Sequence, residues 1–391
     1  MQRTFIARNP SVLWFLLSLA VFTVAVTVLS EATGATVVST SFLKTLGKTL
    51  CLCLVAIAMD VVWGYCGILS LGHFAFFGIG GYAIGMWLMY ERTRALVETS
   101  LASSVIPPTP DEITSAVGGQ IFGVVGSSEF PMIWAFSHSL PLQLLAAVVV
   151  PGLLALVFGW LAFRSRVTGV YLSILTQAMT LALALYFFQN DTGLRGNNGL
   201  SGLQNIPGFQ STPQATLSLW FFWASAIALG AGYVLFAWVT SGKFGSVIRA
   251  VRDNEARVRF LGYHVESYKL FVFTLTAMVA GIAGVLYYPQ AGIINPAEIA
   301  PIASIYLAVW VAIGGRGRLY GAVIGAAVVS LLSSWFTGGS APDINLGFYE
   351  IKWTDWWLVL LGLGFVTVTL LLPKGIGGLF DLLPSKNKDQ T

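Results

Sequence analysis

The sequence has few charged residues and few of the side chains on which enzymes and metal sites depend. Of its 391 residues only 10% are Asp, Glu, Lys or Arg, and it has three histidines and three cysteines. Soluble domains are roughly one quarter charged, so this composition excludes an ordinary soluble fold. Hydrophobic residues make up 56% of the chain and fall in long runs. The composition predicts an all-α polytopic membrane protein in which residues 1–391 form a single transmembrane domain.

Catalytic and metal-binding motifs are also missing. The sequence has no HExxH or GxSxG motif and no paired aspartate motif of a membrane protease, and His73, His138 and His264 are scattered along it. Cys51 and Cys53 are too close in sequence for an unstrained disulfide within a helix. No pattern of His or carboxylate residues near them resembles a metal site. A membrane-embedded enzyme is therefore disfavoured, and we predict neither a catalytic residue, nor a metal, nor a cofactor.

Two short stretches imitate nucleotide-binding motifs. Gly47, Lys48 and Thr49 resemble the end of a Walker A motif, but Phe42 stands where its first glycine belongs. Residues 200–204 read LSGLQ, which resembles the signature sequence of an ABC nucleotide-binding domain, but the chain has no phosphate-binding loop to accompany it. The chain is therefore predicted to carry no ATPase of its own.

Apolar runs of membrane-crossing length recur along the chain. A helix needs about 20 predominantly apolar residues to cross the bilayer. The first run, 12–29, is too long for a typical signal peptide and lacks a convincing cleavage site, so it predicts an uncleaved helix. About ten transmembrane helices are predicted, near 11–30, 48–66, 73–90, 143–163, 168–188, 218–240, 269–289, 302–314, 319–337 and 354–372.

The basic residues decide the orientation of these spans. With a cytoplasmic N-terminus, 15 of the 21 Lys and Arg residues lie inside, while the acidic residues divide into five inside, eleven outside and one within a span. Short cytoplasmic loops are enriched in Lys and Arg, so the sequence predicts that both termini are cytoplasmic, with 375–391 as a cytoplasmic tail. Residues 91–141 are then an extracytoplasmic insertion, which their prolines, glycines and mild acidic bias predict to be an exposed loop with little packing. The segment 189–217, rich in Asn, Gly and Pro, lies on the same side.

A few polar residues lie inside predicted spans. Asp60 is the only acidic residue placed within a predicted span, and an ionised group there faces the bundle interior because exposure to lipid is costly. It is either a pathway residue or a structural carboxylate that bonds to neighbouring backbone. His73 follows a Gly-rich segment that predicts a break between two helices, where it acts as a capping or packing residue or as a proton carrier. The residues proposed to line a translocation pathway are Asp60, Tyr65, Ser70, His73, Tyr82 and Gln177.

The most concentrated positive charge lies in the segment 241–268, between two long apolar stretches. Its basic residues, with the neighbouring lysine, are Lys243, Arg249, Arg252, Arg257, Arg259 and Lys269. Against these stand Asp253, Glu255 and Glu266. A segment of this charge lies in water on the cytoplasmic side. Orientation and contact with lipid headgroups would by themselves explain its arginines; docking of a cytoplasmic partner is the alternative.

Three blocks of sequence resemble a known family. They read RAVRDNEARVRFLG followed by YKLFVFTLTAMVAGIAGVLYYPQAGIINP, WGYCGILSLGHFAFFGIGGY, and AIGGRGRLYGAVIGA. These are similar to blocks in the inner-membrane permeases of bacterial ABC importers for branched-chain amino acids, and the similarity spans most of residues 45–375. The stretches MDVVWGYCGILSLGHFAFFG and LYFFQNDTGLRGNNGLSG, together with the long insertion, resemble the permease subunits of urea importers most.

The resemblance implies a transport subunit of the bacterial inner membrane, not an enzyme. It implies three kinds of protein partner, within membrane lipid and without nucleic acid: a homologous second permease, two cytoplasmic ATPases that bind the ATP, and an extracytoplasmic solute-binding protein. In such permeases a short helix of the cytoplasmic loop docks into a groove on the ATPase. The residues implied for that coupling are Arg249, Arg252, Asp253, Glu255, Ala256, Arg257, Arg259 and Gly262.

The solute is less well defined than the mechanism. A small neutral polar solute needs only a transiently hydrated cavity with a few hydrogen-bonding groups, which suits urea or a short-chain amide. A zwitterionic amino acid fits as well, because a half-helix N-terminus can hold its carboxylate. The alternative of another class is a self-sufficient secondary transporter or channel for a small polar solute, against which stands the lack of an ionisable relay beyond Asp60.

Overall fold

The computed structural model describes residues 9–33, 38–101, 109–125, 132–167, 169–338, 344–345, 350–372 and 375–378. The predicted cytoplasmic residues 1–8 and 379–391 lie outside this part of the chain. The α-helices of the described residues are α1 Pro10–Thr33, α2 Thr40–Asp60, α3 His73–Leu101, α4 Pro110–Val125, α5 Leu140–Arg164, α6 Val170–Phe188, α7 Gln214–Ser241, α8 Lys243–Asp253, α9 Glu255–Phe260, α10 Val265–Ala291, α11 Pro301–Gly314, α12 Leu319–Thr337 and α13 Trp353–Leu371.

Each of the ten predicted spans coincides with one of these helices. Among the described residues, seven helices are long and apolar enough to cross a membrane, and 301–314 and 353–368 form shorter apolar helices. Helix α3 is 29 residues long but is not among the seven, since its glycines and the charges of its second half dilute its apolar character. The all-helical membrane architecture is therefore confirmed, whereas the number ten and the orientation stay predictions.

Several helix boundaries differ from the prediction. Helix α2 begins at Thr40 and not near residue 48, so Lys44 and Lys48 lie on the helix itself. Helix α3 continues to Leu101, beyond the predicted end at residue 90. Charged residues near a membrane surface lowered the local hydropathy in both places, but they do not interrupt the helical hydrogen bonds.

The predicted exposed loop at 91–141 is wrong in part. Its middle forms helix α4, which packs against α3. Val117 and Ile121 of α4 are fully buried, as is Trp134 after it, whose indole donates to the Gly193 carbonyl at 2.8 Å. Apolar residues at helical spacing in this segment therefore extend the main hydrophobic core beyond the predicted membrane spans.

Helices α2, α3 and α10 form the centre of the bundle. Helix α2 packs against α7, α10 and α12, and α3 packs against α10 and α5. The apolar window of α2 is 89% buried, whereas that of α1 is 11% buried, because α1 touches the bundle mainly through α7. Helix α2 thus has protein on nearly all sides, whereas α10, with a window that is 50% buried, and the outer helices expose apolar faces as expected for contact with lipid.

The loops 189–217 and 241–268, which the sequence assigns to opposite sides of the membrane, lie at opposite ends of the bundle. The outer end contains strand β1 (Leu200–Ser201), paired antiparallel with β2 (Ile293–Ile294). The inner end contains the loop 241–268 and the α11–α12 connection at 315–318. A second small hairpin pairs β3 (Ile344–Asn345) with β4 (Glu350–Ile351).

Close contact between α3 and α10 depends on glycine. A Cβ atom on Gly80 would collide with the backbone carbonyl of Gly281. Gly80→Val is therefore expected to destabilise the fold by about 2 kcal/mol or more and to lower the Tm of the detergent-solubilised protein. Gly119→Val is the matched control, because a Cβ at Gly119 on α4 meets open space. Equal Tm values for the two variants would contradict this account of the packing.

Candidate functional site

The loop 241–268 is a helical hairpin built on the inner end of the bundle. Helix α8 presents Ile248 and Val251 inward, and α9 adds Val258. Asn254 separates the two helices, and its side-chain oxygen caps α9 by accepting from the Arg257 amide at 3.0 Å. This alternation of buried apolar and exposed polar residues makes the segment a packed structure of defined shape.

An ion-pair network holds α9 against the start of α10. Glu255 accepts from Arg259 at 2.7 Å and from Lys269 at 2.5 Å, and Arg259 also pairs with Glu266 at 2.6 Å. Arg259 and Glu255 are about one quarter exposed and Lys269 is 9% exposed. Networked and partly buried pairs of this kind contribute more than isolated surface pairs, so the network orients α9 relative to the membrane helices.

This network makes the order of the loop dependent on pH. Burial by itself raises the pKa of the Glu255 carboxyl, but hydrogen bonds from Lys269 and Arg259 outweigh burial and leave that pKa below its ordinary value of 4.5. A depressed carboxylate pKa stabilises the folded loop above about pH 4.5, and that contribution is lost as the pH falls through the lowered value. We expect hydrogen exchange of the amides in 255–263 to accelerate on acidification below that range.

Glu255→Gln tests the same network at neutral pH. In this variant the amide hydrogens of residues 255–263 should already exchange faster at pH 7, by a factor corresponding to about 1 kcal/mol. Their exchange rates should also respond less to acid. Asp253→Asn is the control, because Asp253 is 65% exposed and among the described residues pairs only with its neighbour Arg252. An unchanged exchange pattern in Glu255→Gln would show that the network does not order the loop.

The tip of the hairpin exposes apolar side chains. Phe260 is 92% exposed, Leu261 71% and Tyr263 44%. Gly262 lies between them with φ +86°, a conformation that glycine adopts without strain and that turns the chain sharply after α9. Ala256 and Arg257 are also exposed on this surface. A rigid, water-exposed hairpin with an aromatic and aliphatic tip has the composition of a protein-binding surface.

The structure gives three arginines of the loop intramolecular partners that the sequence does not reveal. Arg249 donates to the Thr240 carbonyl at 2.7 Å and Arg252 to the Gly64 carbonyl at 2.7 Å. Arg259 is engaged in the ion-pair network. These arginines therefore secure the hairpin to the bundle, and the apolar tip, which the sequence-based site left out, is its outward surface. The short apolar run that follows the charges, FLGY at 260–263, was the signal that could have found it.

Arg252 connects the hairpin to a distortion in the central helix. Helix α2 continues from Asp60 into a π-helical turn at Val61–Tyr65, a form that frequently occurs at functional sites. The Arg252 side chain packs against Gly67 just beyond this turn. Arg316 lies over the Trp63 ring, with its guanidinium carbon 5.2 Å from the ring centroid. The π turn is thus held between the hairpin and the α11–α12 connection.

Asp60 lies at the inner end of the bundle. Its Oδ1 accepts from the Gly317 amide at 2.7 Å, and the side chain is fully buried. Gly64 sits directly against both groups, since a Cβ there would collide with Asp60 Oδ1 and the Gly317 amide. This geometry supports the structural alternative for Asp60, in which the carboxylate bonds to the backbone of a neighbouring loop. Its participation in a pathway stays a prediction.

The predicted break between two helices is present at residues 66–72, and polar side chains pair with its backbone. Ser173 donates to the Leu69 carbonyl at 2.8 Å, Thr176 accepts from the Leu71 amide at 3.0 Å, and Ser304 accepts from the Phe74 amide at 3.2 Å. Irregular backbone inside a membrane requires such partners. Hydroxyl groups of α6 and α11 therefore make the break possible.

Ser70 and His73 belong to this break. His73 Nδ1 lies 3.1 Å from the Ser70 hydroxyl and Nε2 lies 3.3 Å from the Thr276 hydroxyl, and both residues are fully buried. Paired on both sides by neutral hydroxyls, His73 has the geometry of a packing residue. The remaining predicted pathway residues do not join it: Tyr65 is half-buried in the π turn, Tyr82 is buried against the Phe187 ring, and Gln177 is half-buried on α6.

The sequence-based site missed a buried amide near the outer end. Gln290 donates to the Leu286 carbonyl at 2.7 Å and to the Ser225 hydroxyl at 3.1 Å, and Cys51 lies 3.2 Å from that hydroxyl. The three free cysteines are all buried. An amide directly after a proline at the end of a long apolar run, as in YYPQ at 287–290, was the available signal.

An all-helical bundle with membrane-length apolar helices, an interrupted central helix and a hairpin at its inner end defines the chain as a polytopic membrane protein. Its sequence matches the family of permease components of branched-chain amino acid transport systems over residues 41–369, and the chain belongs to that family. The family consists of permease components of transport systems, and the membrane-length apolar helices fit a multi-pass protein of the bacterial inner membrane. The comparison with solved structures gave no significant match.

Curated relatives match over shorter stretches. The chain is 28% identical over 145 residues to the autoinducer 2 import system permease protein LsrC of Photorhabdus laumondii, covering 36% of this chain and 40% of that protein. It is 30% identical over 97 residues to the ribose import permease protein RbsC of Escherichia coli, covering 24% of this chain and 30% of that protein. The chain thus spans less than half the length of the curated relatives it matches.

Proposed function

We propose that this chain is the membrane permease subunit of an ATP-driven, binding-protein-dependent ABC importer. The observation that carries the proposal is the apolar tip of the inner hairpin, Phe260, Leu261 and Tyr263, presented to water on a scaffold braced by ion pairs. Family membership supports the same role. The partners are a homologous second permease, two cytoplasmic ATPases, which bind the ATP, and an extracytoplasmic solute-binding protein, within membrane lipid; the permease itself needs no cofactor.

The proposed mechanism begins at the ATPase and ends at the π turn. The ATPase groove receives the hairpin, with the tip as the anchor and Arg257, Asp253 and Ala256 at its edge. Closure of the two ATPases displaces the hairpin, and Arg252 transmits that displacement to the Gly64 carbonyl. The hydrogen bond from the Gly317 amide to Asp60 then transmits the displacement to the connection between α11 and α12. The helices then rock between inward and outward access, with the broken segment at 66–72 as their hinge.

The proposed solute is urea or a short-chain amide, with branched-chain or other amino acids as the alternative. Resemblance of the sequence blocks to urea importers supports the first, and the family supports the second. The matched relatives are named for autoinducer 2 and ribose, so these compounds belong in any test. The buried hydroxyl and amide groups of the bundle, such as Ser173, Thr276 and Gln290, can form hydrogen bonds with each of these small polar compounds.

Vesicles loaded with ATP provide the test. They contain this chain with its second permease, ATPases and binding protein, each omitted in turn, and are offered labelled urea, leucine, ribose and autoinducer 2. Urea uptake that requires every partner is the expected result. Leucine, ribose or autoinducer 2 uptake with the same dependence keeps the mechanism and replaces the solute. Uptake by this chain alone would instead establish a secondary transporter or channel.

A further inference from the structure

The outer end of the bundle contains a pocket between α3, the loop at 205–210 and the first turn of α7. Its volume of about 320 Å³ lies near the lower end of the range of roughly 300–1,000 Å³ that is typical of small-molecule sites. Five polar and five apolar residues line it, and none of them belongs to the hairpin or to the broken segment. We name this cavity the outer pocket and define it by Arg92, Leu96, Asn205, Phe209, Gln210 and Gln214.

The loop wall of the outer pocket has a defined shape. Strand β1 pairs with β2, and the Leu203 amide donates to the Gly292 carbonyl at 3.0 Å. Leu203 is 1% exposed, so this part of the loop is anchored in the core. Further along, the Phe209 ring packs edge-on against the Trp220 ring, with the two centroids 5.6 Å apart. The pocket is therefore formed before a ligand enters, which lowers the entropic cost of binding.

Arg92 gives this pocket a positive charge that has no counter-ion. The two acidic residues nearby on α3, Glu91 and Glu98, pair instead with Arg94, at 3.9 and 2.8 Å. Within the described ranges Arg92 forms neither an ion pair nor a hydrogen bond, and no acidic side chain is among the lining residues. The guanidinium group matches a carboxylate in shape and charge, so the pocket favours a ligand that carries one.

Gly202 determines where the guanidinium lies. It follows β1 directly with φ +77°, and a Cβ atom there would collide with Nη1 of Arg92. The Gly202 carbonyl accepts from the Asn205 amide at 3.3 Å, which closes a turn. This turn therefore places the Asn205 side chain and the Arg92 guanidinium at the same wall of the pocket.

We propose that the outer pocket is a binding site for a small carboxylate with a short aliphatic chain. Arg92 pairs with the carboxylate, and such charge-assisted hydrogen bonds are stronger than neutral ones. The side-chain amides of the pocket donate to the remaining lone pairs, while Leu96 and Phe209 contact the aliphatic chain. Urea has no carboxylate and does not belong to this class, whereas an aliphatic amino acid does. Binding here requires neither ATP nor transport, so the site is independent of the proposed import function.

Isocaproate and isocaproamide test the site on the full chain in phosphatidylcholine nanodiscs. The two probes share one aliphatic chain and differ in the charge at its end. Isocaproate is expected to bind about tenfold or more tightly than the amide, as measured by calorimetry. Equal affinities for the two probes, or no saturable binding of isocaproate, would overturn the proposal.

Substitutions of Arg92 locate the binding. Arg92→Gln should weaken isocaproate binding about tenfold or more without lowering the Tm, since the arginine has no partner in the described part of the fold. Arg92→Lys should fall between the two, because lysine keeps the charge but loses the planar fork. Lys44→Gln is the control, since it removes the same charge from the outer end but does not line the pocket. Native affinity in Arg92→Gln, or an equal loss in Lys44→Gln, would contradict the assignment.

Two glycines of the loop test the position of the guanidinium at constant charge. Gly202 and Gly208 have φ of +77° and +79°, so alanine strains the backbone similarly at both. Only at Gly202 would the Cβ collide with Arg92, whereas at Gly208 it meets open space. Gly202→Ala should therefore weaken isocaproate binding severalfold relative to Gly208→Ala. Equal affinities in these two variants would show that the guanidinium does not form the site.

The results for the pocket and for import are separable. Binding of isocaproate by the chain alone supports the site even where the complete importer takes up no solute, and uptake by the importer without isocaproate binding overturns the site but not the import function. Docking of the solute-binding protein that depends on Arg92, with no isocaproate binding, would assign the pocket to a protein partner and overturn the proposal.

Discussion

Replacing Phe260 and Leu261 together by aspartate is expected to abolish ATP-dependent uptake and capture of the ATPase. The two side chains are 92% and 71% exposed, so their loss leaves the bundle intact and the permease Tm unchanged. An apolar anchor buried at an interface contributes about 2 kcal/mol or more, which corresponds to a loss of affinity of at least about 30-fold. Two aspartates in its place add the cost of desolvating charge. The affinity of purified ATPase for the reconstituted permease measures the effect.

Val170→Asp is the matched control for this experiment. Val170 is 75% exposed and is the first residue of α6, at the inner end of the bundle, but it lies outside the hairpin. An aspartate there should leave ATPase binding within a few fold of the native protein. Native-like ATPase binding by the tip variant would contradict the assignment of the hairpin tip as the docking surface. An equal loss of binding in both variants would mean that acidic charge anywhere at this end of the bundle disrupts the complex.

Asp60→Ala and Asp60→Asn are expected to differ sharply. An asparagine side chain at this position keeps an oxygen that can accept from the Gly317 amide, whereas alanine leaves that buried donor unpaired at a cost of about 1–3 kcal/mol. We therefore expect Asp60→Ala to lower the Tm and reduce uptake at least tenfold per ATP hydrolysed. Asp60→Asn should retain most of both. Uptake and ATP hydrolysis measured together in vesicles give the ratio.

The opposite pattern would restore the pathway role of Asp60. A carboxylate that carries charge or binds the solute loses its function on conversion to asparagine, while the Tm stays close to native. A third variant, Gly64→Ala, probes the same contact from the other side, since its Cβ would separate Asp60 from Gly317. Gly242→Ala is its control, because a Cβ there meets open space. An equal ratio of uptake to ATP hydrolysis in Gly64→Ala and Gly242→Ala would show that the contact between Asp60 and Gly317 does not couple ATP hydrolysis to uptake.

Local hydrophobicity predicted where helices lie but not where they end. Each predicted span corresponds to a helix, since a run of about 20 apolar residues is a signal contained in the run itself. Lys44 and Lys48 shortened the prediction for α2, although long basic side chains extend along a helix without ending it. Helix α4 was missed because its apolar spacing is brief and is flanked by prolines, so its stability depends on packing against α3.

The candidate site divides in the same way. The basic segment 241–268 stands out from the charge pattern, and the break near Ser70 follows from its glycines. The apolar tip at 260–263 was overlooked because so short a run carries little signal beside the charged residues that precede it. Arginines that were expected to face a partner turned out to hold the hairpin to the bundle, a choice that depends on carbonyl groups elsewhere in the fold.

The sequence by itself determined the class of protein, the places of its apolar helices and the charged loop 241–268, because these follow from residues that are neighbours in the chain. Only the tertiary structure decided which polar groups meet. Asp60 and the Gly317 amide are 257 residues apart, and Arg252 and Gly64 are 188 apart. In a membrane bundle each buried polar group needs a partner, and the packing of whole helices determines which partner lies within reach.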